Sequence, residues 1–422
     1  MTTSRTLEGL ATFIKQVRLR ERMPSKNSLQ TGIVNVLIAT DAGCEEACAL
    51  ETRRLLPKSG PRNERACIIE LEGTLAEAAL LGYRLQTARR VLVRIIPTVA
   101  SLAEVAARHI DPDLRAMLFP KEASFKAEGD VLALRADGTP VEETEERKLP
   151  LAQELVEEVG GWGHKELGLR VDLKRPDIVI YALATASGID IGVDVVGQPL
   201  AKREYRIMLS SHSLKATVAA AAVLYAGAMA DDAILDPFVD DGTICVEAAM
   251  LLSRTSPRKF QPRFAFQAFP GLAETDWKAW RVAQDAAALP AGERHITGFA
   301  TTMREMKAVR TNSKLAGVDD HILSTRVSVD WLDAKRAEGS VDRIITLPVV
   351  SGKAVTPKEA AKLQDLLFYQ AAYALTKKGT VTCVTEKPDE LLPHAERHGF
   401  SLAMRRDVLM GKRRMAIVQW KR

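Results

Sequence analysis

The second half of the chain alternates short β-branched apolar runs with segments of helical periodicity, and this alternation limits the folds open to it. From residue 212 on, the apolar runs are AILDPF, HITGFA, HILSTRV, DRIITLP and TVTCVTE, and helical segments separate most of them. Strands that alternate with helices form a parallel sheet with helices on both faces. We therefore predict an α/β fold with a mostly parallel, doubly wound sheet. An antiparallel hairpin over AMRRDVLMGKRRMAIVQW follows it.

The first half of the chain predicts two smaller α+β units. The first runs through the strand IVNVLIAT, a helix, the strand ACIIELEG, a second helix and the strand RRVLVRII, in the order of a ferredoxin-like half. The second unit starts at Ser101 with a strand-like segment. We expect its helix PLAQELVEEVGGWGHKE to end at Gly160 and Gly161, and its last two strands to turn near Ser187 and Gly188.

Composition predicts a cytoplasmic protein of several domains. The 422 residues are 46% hydrophobic and 27% charged, without a run of 18 apolar residues or the apolar core of a secretory signal. The five cysteines are scattered, and only Cys44 and Cys48 lie close together. A zinc site would need two more ligands nearby. We therefore expect buried thiols and no metal site.

The net charge of +5 is concentrated at the two ends of the chain. Residues 1–31 carry six Lys and Arg against two Glu, and residues 402–422 carry seven against one Asp. Basic segments of this kind bind a polyanion such as RNA or DNA, or form solvated tails. Charge alone leaves both interpretations open.

Three stretches resemble a known family in the order in which that family has them. They are VDLKRPDIVIYALATASGIDIGVDVVGQPLAKREYR, then HSLKATVAAAAVLYAG with LDPF…GT…EAA, then the helix ending NSKLAGVDDHI. The chain resembles the THUMP-containing RNA methyltransferases, especially the archaeal-type enzymes that methylate the exocyclic amine of a tRNA guanine. The resemblance implies four segments: a basic N-terminal segment at 1–31, a ferredoxin-like domain at 32–98, a THUMP RNA-binding domain at 99–205, and a Rossmann-like class I methyltransferase domain at 206–422.

The resemblance also implies an RNA partner, with tRNA favoured. The basic segment QPLAKREYR, residues 198–206, is the linker into the last domain, and we expect it to be exposed. Lys and Arg in exposed turns neutralise phosphates, so basic and aromatic residues in or near this linker are the candidate contacts. These are Lys174, Arg175, Lys202, Arg203, Tyr205, Arg206 and Lys215. Tyr205 is open to two interpretations, stacking on a base or packing under the linker. Another RNA-modifying protein or a ribonucleoprotein is a further candidate partner, and a membrane is not.

Members of this family bind S-adenosylmethionine through a Gly-rich first loop and polar residues after the second and third strands. The candidate cofactor residues here are Asp236, Pro237, Gly242, Thr243 and Asp330. Asp240 stands where the family has a glycine, and we expect it and Asp241 to face the cofactor's own carboxylate unfavourably. Ala300 occupies the position of the acidic residue that accepts hydrogen bonds from the ribose, and Ser328 that of an aspartate.

The fourth loop departs furthest from the family. Leu347, Pro348, Val349 and Val350 stand where the family has Asn or Asp, two prolines and an aromatic residue. Leu and Val side chains neither accept hydrogen bonds from a guanine amine nor stack on a base. We expect the loop to pack inward and close the base pocket.

Taken together, these departures predict an RNA-binding protein whose methyltransferase domain has lost guanine-N2 methylation, without a catalytic residue in the fourth loop and without a cofactor. Two alternatives stay open. One is an active S-adenosylmethionine-dependent tRNA or rRNA methyltransferase with a divergent pocket. The other is a structural subunit of a ribonucleoprotein whose RNA contact lies in the basic termini.

Overall fold

Two mixed β-sheets, of eight and seven strands, form the framework of the part of the chain that the structure describes. The computed structural model describes residues 32–422, except for 136–137, 140, 143–145, 147–148, 293–294 and 412. The predicted basic N-terminal segment, residues 1–31, lies outside the described residues.

The first sheet combines strands from both predicted N-terminal units. Its strands are β1 (Val34–Thr40), β2 (Asn63–Arg65), β3 (Ile68–Gly73), β4 (Ala88–Arg94), β5 (Ser124–Val131), β6 (Arg170–Val171), β7 (Ile178–Thr185) and β8 (Gly188–Asp194). They are ordered β2-β3-β1-β4-β8-β7-β5-β6. Strands β4 and β8 pair antiparallel, with Leu92 opposite Asp194, and so join the two units edge to edge. The boundary between residues 98 and 99 stays a prediction.

The helices of the first half pack against this sheet, and one of them runs further than the sequence predicted. They are α1 (Glu45–Leu55), α2 (Leu75–Arg84), α3 (Leu102–Val105), α4 (Pro112–Leu118) and α5 (Ala152–Leu167). Helix α5 continues through Gly160 and Gly161 and ends where Gly168 adopts a left-handed conformation with φ +67°. The predicted end was therefore wrong, because the buried apolar face of the helix extends to Leu167 and holds the two glycines in helical conformation.

The second sheet is the doubly wound one that the alternation predicted. Its strands are β9 (Ile234–Asp236), β10 (Ile296–Ala300), β11 (Ile322–Arg326), β12 (Val341–Thr346), β13 (Leu375–Thr385), β14 (Ser401–Met410) and β15 (Arg413–Lys421). They are ordered β11-β10-β9-β12-β13-β15-β14, with β9 to β13 parallel and β15 antiparallel to both of its neighbours. This is a Rossmann-like methyltransferase fold with the predicted C-terminal hairpin.

The helices of the second half cover this sheet, except for the helix Trp277–Asp285, whose Trp280 packs against Tyr83 of the first half. They are α6 (Ala216–Tyr225), α7 (Thr243–Ser253), α8 (Trp277–Asp285), α9 (Met303–Ala316), α10 (Leu332–Lys335), α11 (Pro357–Ala374) and α12 (Pro388–Arg397). Helix α9 starts at a capping box formed by Thr302 and Glu305 and ends where Gly317 adopts a left-handed conformation with φ +69°. Within the described residues, we find no helix whose length and hydropathy would let it cross a membrane.

The C-terminal hairpin also contacts the first unit, just after β1. The backbone N–H of Leu409 in β14 donates to the carbonyl oxygen of Ala42 at 3.0 Å. Gly43 has φ +84°, and a Cβ there would lie 2.0 Å from the carbonyl oxygen of Asp407. The two backbones therefore approach too closely for any side chain at position 43.

All five cysteines are buried and free, as predicted. Burial raises the pKa of each thiol, so the nucleophilic thiolate is disfavoured at all five positions.

Candidate functional site

A cavity of about 520 Å³ opens at the edge of the second sheet where the parallel strands end. Doubly wound sheets bind their ligands at this edge, because the loops after adjacent strands converge there. The first three of these loops contribute Phe238 and Asp240 after β9, Phe299, Thr301 and Glu305 around the end of β10, and Ser328 after β11. Residues 347–355 after β12 and Met415 of the hairpin complete much of the wall.

Asp240 forms part of the cavity wall in an unusual backbone conformation. Its φ of +48° lies in the left-handed region, where glycine is the usual residue. The hydroxyl of Ser210 donates to its carboxylate at 2.6 Å. Burial raises the pKa of Asp240, and the neighbouring carboxylates of Asp241 and Glu305 add to the increase. The first loop therefore presents a carboxylate to the cavity in place of bare backbone.

Asp241 turns away from the cavity, contrary to the sequence-based expectation. Its carboxylate accepts hydrogen bonds from the backbone N–H of Thr243 at 3.0 Å and from the Thr243 hydroxyl at 2.7 Å. The hydroxyl of Ser213 donates to its other oxygen. Asp241 is buried and satisfies orphan donors at the start of α7. The expectation that both carboxylates face a cofactor is wrong for this residue.

Asp236 and Pro237, two of the candidate cofactor residues, are buried at the end of β9. One oxygen of the Asp236 carboxylate accepts hydrogen bonds from the Thr346 hydroxyl at 2.6 Å and from the Phe238 backbone N–H at 3.2 Å. Burial raises the pKa of Asp236 to about 7, against the lowering effect of these two hydrogen bonds. Asp236 therefore links the ends of β9 and β12.

Of the other candidate cofactor residues, Gly242 and Thr243 are buried in the protein and Asp330 is exposed to solvent. Gly242 has φ +82°, and a Cβ there would lie 3.1 Å from a methyl carbon of Val309 on α9. Thr243 is buried, and its hydroxyl donates to the Asp241 carboxylate. Asp330 is exposed and accepts a hydrogen bond from the Ser328 hydroxyl.

Glu305 is a cavity residue that the sequence analysis missed. As the third residue of α9 it reaches back to accept hydrogen bonds from the backbone N–H groups of Thr301 at 2.6 Å and Thr302 at 3.1 Å. This brings its carboxylate to the end of β10, where the sequence offered only Ala300, whose side chain is fully buried. The capping-box pattern Thr-x-x-Glu from position 302 is the signal that could have found it.

The fourth loop lines the cavity but does not close it. Leu347 packs against the core and Pro348 is buried, as predicted. All four residues at 347–350 nevertheless line an open cavity, so the predicted closure of the pocket is wrong. Two hydrogen bonds tie the loop to the helices α11 and α12. The Gln364 side chain donates to the Val349 carbonyl at 2.9 Å, and the Ser351 hydroxyl donates to Glu390 at 2.6 Å. None of the four side chains at 347–350 can accept a hydrogen bond.

Three of the seven candidate RNA contacts are exposed. Lys174 and Arg175 lie in a turn whose backbone N–H groups donate to Asp172, and Lys202 follows the linker proline. Lys215 is one-quarter exposed and pairs with Asp41. Arg206 is half-buried and donates to the Leu214 carbonyl at 2.7 Å.

The structure contradicts the prediction that Arg203 and Tyr205 contact RNA, because both linker side chains are buried against α7. The Arg203 guanidinium pairs with Glu247 of α7 at 2.9 Å and donates to the Gln86 carbonyl at 2.6 Å. The Tyr205 hydroxyl donates to the same Glu247 at 2.8 Å. Only 1% of the Arg203 side chain is exposed. Neither residue can reach a phosphate or a base in this conformation, and Tyr205 packs rather than stacks.

Comparison with known proteins agrees with this fold. Residues 203–414 match the UPF0020 family, described as RMKL-like, methyltransferase domain. Over 200 residues the chain is 28% identical to a Synechocystis protein named "Putative RNA methyltransferase slr0064". That match covers 47% of this chain and 50% of the relative, so the chain spans about half the length of the curated relative it matches.

Two solved structures resemble nearly the whole chain. A possible methylase from Clostridium difficile 630 has a TM-score of 0.76 and 19% identity, over 92% of this chain and 98% of its own. SMU.472, named as a putative methyltransferase and solved with SAH (S-adenosylhomocysteine), has a TM-score of 0.73 and 18% identity over the same shares. At these identities the likeness concerns the fold.

The cavity wall offers groups that suit one part of S-adenosylmethionine. The half-buried Phe238 and the acceptor Glu305 suit an adenosine group. At the first loop, the Asp240 side chain stands where bare backbone would approach the amino-acid end. Its carboxylate opposes the carboxylate of that end and attracts the ammonium, so the first loop departs from the family pattern in space rather than in charge alone.

Proposed function

The chain belongs to the UPF0020 family of RMKL-like methyltransferase domains, and on that premise we propose that it is an RNA-binding protein that does not methylate the exocyclic amine of guanine. One observation carries the proposal. The loop after β12 presents Leu347, Pro348, Val349 and Val350 to the cavity, so no side chain there can accept a hydrogen from a base amine. The amine lone pair is delocalised into the ring, and without acceptors it stays a poor nucleophile.

RNA as the partner is supported by the name of the Synechocystis relative and by exposed cations at the predicted THUMP domain and linker. Lys174, Arg175 and Lys202 are exposed and can reach phosphates, whereas Arg203 forms a buried ion pair with Glu247. We propose tRNA as the RNA and the segments 99–205 and 206–422 as the RNA-binding and methyltransferase-like domains.

A binding experiment tests the RNA contact. Changing Lys174, Arg175 and Lys202 to Ala is expected to lower tRNA affinity at low salt and to flatten the dependence of log K on log salt concentration, because fewer counterions are released. The measurement is fluorescence anisotropy of labelled tRNA across a salt series. A matched control removes three exposed lysines elsewhere, Lys358, Lys377 and Lys378. Equal salt slopes for the parent and the first triple variant would disprove this surface as the site.

A second candidate is an active methyltransferase with a divergent pocket, which the open cavity and Glu305 favour. Incubation of the protein with tRNA and radiolabelled S-adenosylmethionine separates the two candidates. We expect no methyl incorporation above that of a heat-denatured sample. Incorporation that disappears in the cavity-filling variant Leu347→Trp would establish the second candidate and reject the first.

A further inference from the structure

Four cationic side chains form a stripe on the exposed face of α9, which we call the α9 stripe. They are Arg304, Lys307, Arg310 and Lys314, and all four are exposed to solvent. At 3.6 residues per turn, their positions fall within a sector of about 120° around the helix axis and within about 15 Å along it. On the opposite face, Val309 packs in the core of the second sheet. The solvent face of the helix is therefore a continuous line of positive charge.

No carboxylate neutralises the α9 stripe within the part of the chain that the structure describes. None of its four side chains has an ion-pair or hydrogen-bond partner among the described residues. The only acid in the helix is Glu305, whose carboxylate accepts the hydrogen bonds of the capping box. Like charges three or four positions apart repel each other on a helix, and a cation in the first turn, such as Arg304, opposes the helix dipole. A bound polyanion would relieve both effects.

The α9 stripe begins at the mouth of the cavity. Thr301 and Glu305, on either side of Arg304 in the sequence, line the cavity wall. On another side of the helix, the buried Asn312 side chain exchanges two hydrogen bonds with the backbone of Met208, at 3.2 and 3.0 Å. Met208 lies just after the linker. Helix α9 therefore contacts both the cavity and the chain segment that follows the linker.

We propose that the α9 stripe binds the phosphate backbone of an RNA strand and directs that strand to the mouth of the cavity. The inference rests on the proposed function, because it names a second contact surface for the same RNA. Lys and Arg bind nucleic acids by neutralising phosphates and releasing counterions. A strand with one phosphate per roughly 3.4 Å of axis carries about four phosphates over about 15 Å, which matches the four cations of the stripe.

An anionic membrane is a poorer match to the α9 stripe than an RNA strand. A helix that lies on a membrane buries an exposed apolar face among the lipids. The exposed large apolar side chains of α9 are Met303 and Leu315, which lie at its two ends, and Val309 and Met306 are buried in the protein. A line of charge without an exposed apolar face suits a phosphate backbone.

A charge-removing variant tests the contact. It combines Arg304→Gln, Lys307→Gln, Arg310→Gln and Lys314→Gln, because Gln has nearly the helix propensity of Lys and Arg. Fluorescence anisotropy of labelled tRNA across a salt series is the measurement. We expect the affinity to fall at least about tenfold at about 0.1 M salt and the slope of log K against log salt concentration to flatten by about 3.

The control variant removes four exposed lysines from another surface. It combines Lys358→Gln, Lys362→Gln, Lys377→Gln and Lys378→Gln, so the net charge changes by the same amount. We expect its affinity for tRNA to change by less than about threefold. Thermal unfolding is measured for both variants. The stripe variant should unfold at the same temperature as the parent or at a higher one, because it loses the repulsion between like charges.

The inference is overturned if the stripe variant and the control have the same affinity and salt slope, or if the loss of affinity accompanies a lower unfolding temperature. It is also overturned if the stripe variant keeps its affinity for tRNA but no longer sediments with phosphatidylserine vesicles that the parent binds. Failure of the parent to bind tRNA at all would instead overturn the proposed function. Weaker binding by the Lys174, Arg175 and Lys202 variant, with none by the stripe variant, would leave the proposed function standing and reject this inference alone.

Discussion

Asp236 shows how a residue can keep its position in a motif and take on a structural role. Its carboxylate lies buried between the Phe238 backbone and the Thr346 hydroxyl, and both hydrogen bonds go to one oxygen. Nothing charged and opposite in sign is among the groups that shift its pKa, so burial dominates and raises the pKa to about 7. Folding therefore favours the protonated acid.

This residue predicts a specific pH dependence of stability. Between the unfolded pKa near 4 and the folded value of about 7, the folded state holds one proton more than the unfolded state, so stability falls as pH rises. Asp236→Asn keeps an oxygen for both donors and cannot ionise. We expect the variant to gain roughly 2–4 kcal/mol on the parent between about pH 4 and pH 8. Thermal unfolding across that range measures it, and parallel curves for the two proteins would contradict it.

Two neighbouring cationic residues of the linker differ in solvent exposure, and the sequence did not predict which of them is buried. Lys202 is exposed, whereas Arg203 is buried against Glu247. Both occur in the basic run QPLAKREYR, and the partner that buries Arg203 lies 44 positions away. A basic run predicts a solvated surface, but a buried ion pair depends on tertiary contacts that no local pattern encodes.

At the scale of secondary-structure elements, the parallel strands followed from the sequence. The apolar runs predicted β9 to β13, whereas the Thr-x-x-Glu pattern at the start of α9 went unused. The end of α5 did not follow, because Gly160 and Gly161 look like a stop signal when the packing of the helix is unknown. The cavity did not follow either, since whether the fourth loop packs inward depends on contacts from Gln364 and Glu390.

The glycines of α5 predict a pair of opposite effects. A Cβ at Gly161 would meet no atom within 4 Å, whereas one at Gly163 would lie 3.0 Å from the Phe125 ring. Gly161→Ala should stabilise the protein by about 0.5–1 kcal/mol, because alanine restricts the unfolded chain and favours the helix. Gly163→Ala should gain less or destabilise, because the ring must shift. Urea unfolding of both variants measures the difference; equal gains would contradict the packing role of Gly163.

At the scale of the whole molecule, the two sheets are joined by specific buried and backbone contacts. Glu247 of the second half binds Arg203 and Tyr205 of the linker and Gln86 of the first half. On another side, Leu409 bonds to Ala42 and Gly43 packs against Asp407. These contacts fix the first sheet against the methyltransferase fold at two places.

A substitution at Gly43 tests the contact between the first unit and β14. Gly43→Ala would put a Cβ 2.0 Å from the Asp407 carbonyl oxygen and force φ +84° on an alanine, so we expect a loss of more than about 2 kcal/mol. The control is Gly411→Ala, where φ is +66° and a Cβ would meet nothing within 4 Å. Gly411→Ala forces a left-handed conformation on alanine without a steric clash, so we expect it to lower the free energy of unfolding by roughly 1–2 kcal/mol. Urea unfolding compares them, and equal losses would show that the contact with Asp407 contributes nothing.

The same contact has a consequence for the order of events on the ribosome. Glu46 next to this junction pairs with Arg406, and the two residues are 360 positions apart. At a synthesis rate of about 5–20 residues per second, roughly 20–70 s pass between the emergence of the two partners. Through that interval the backbone at Ala42 and Gly43 lacks the strand that covers it in the folded protein. The junction between the two sheets at this place therefore forms only after nearly the whole chain has been synthesised.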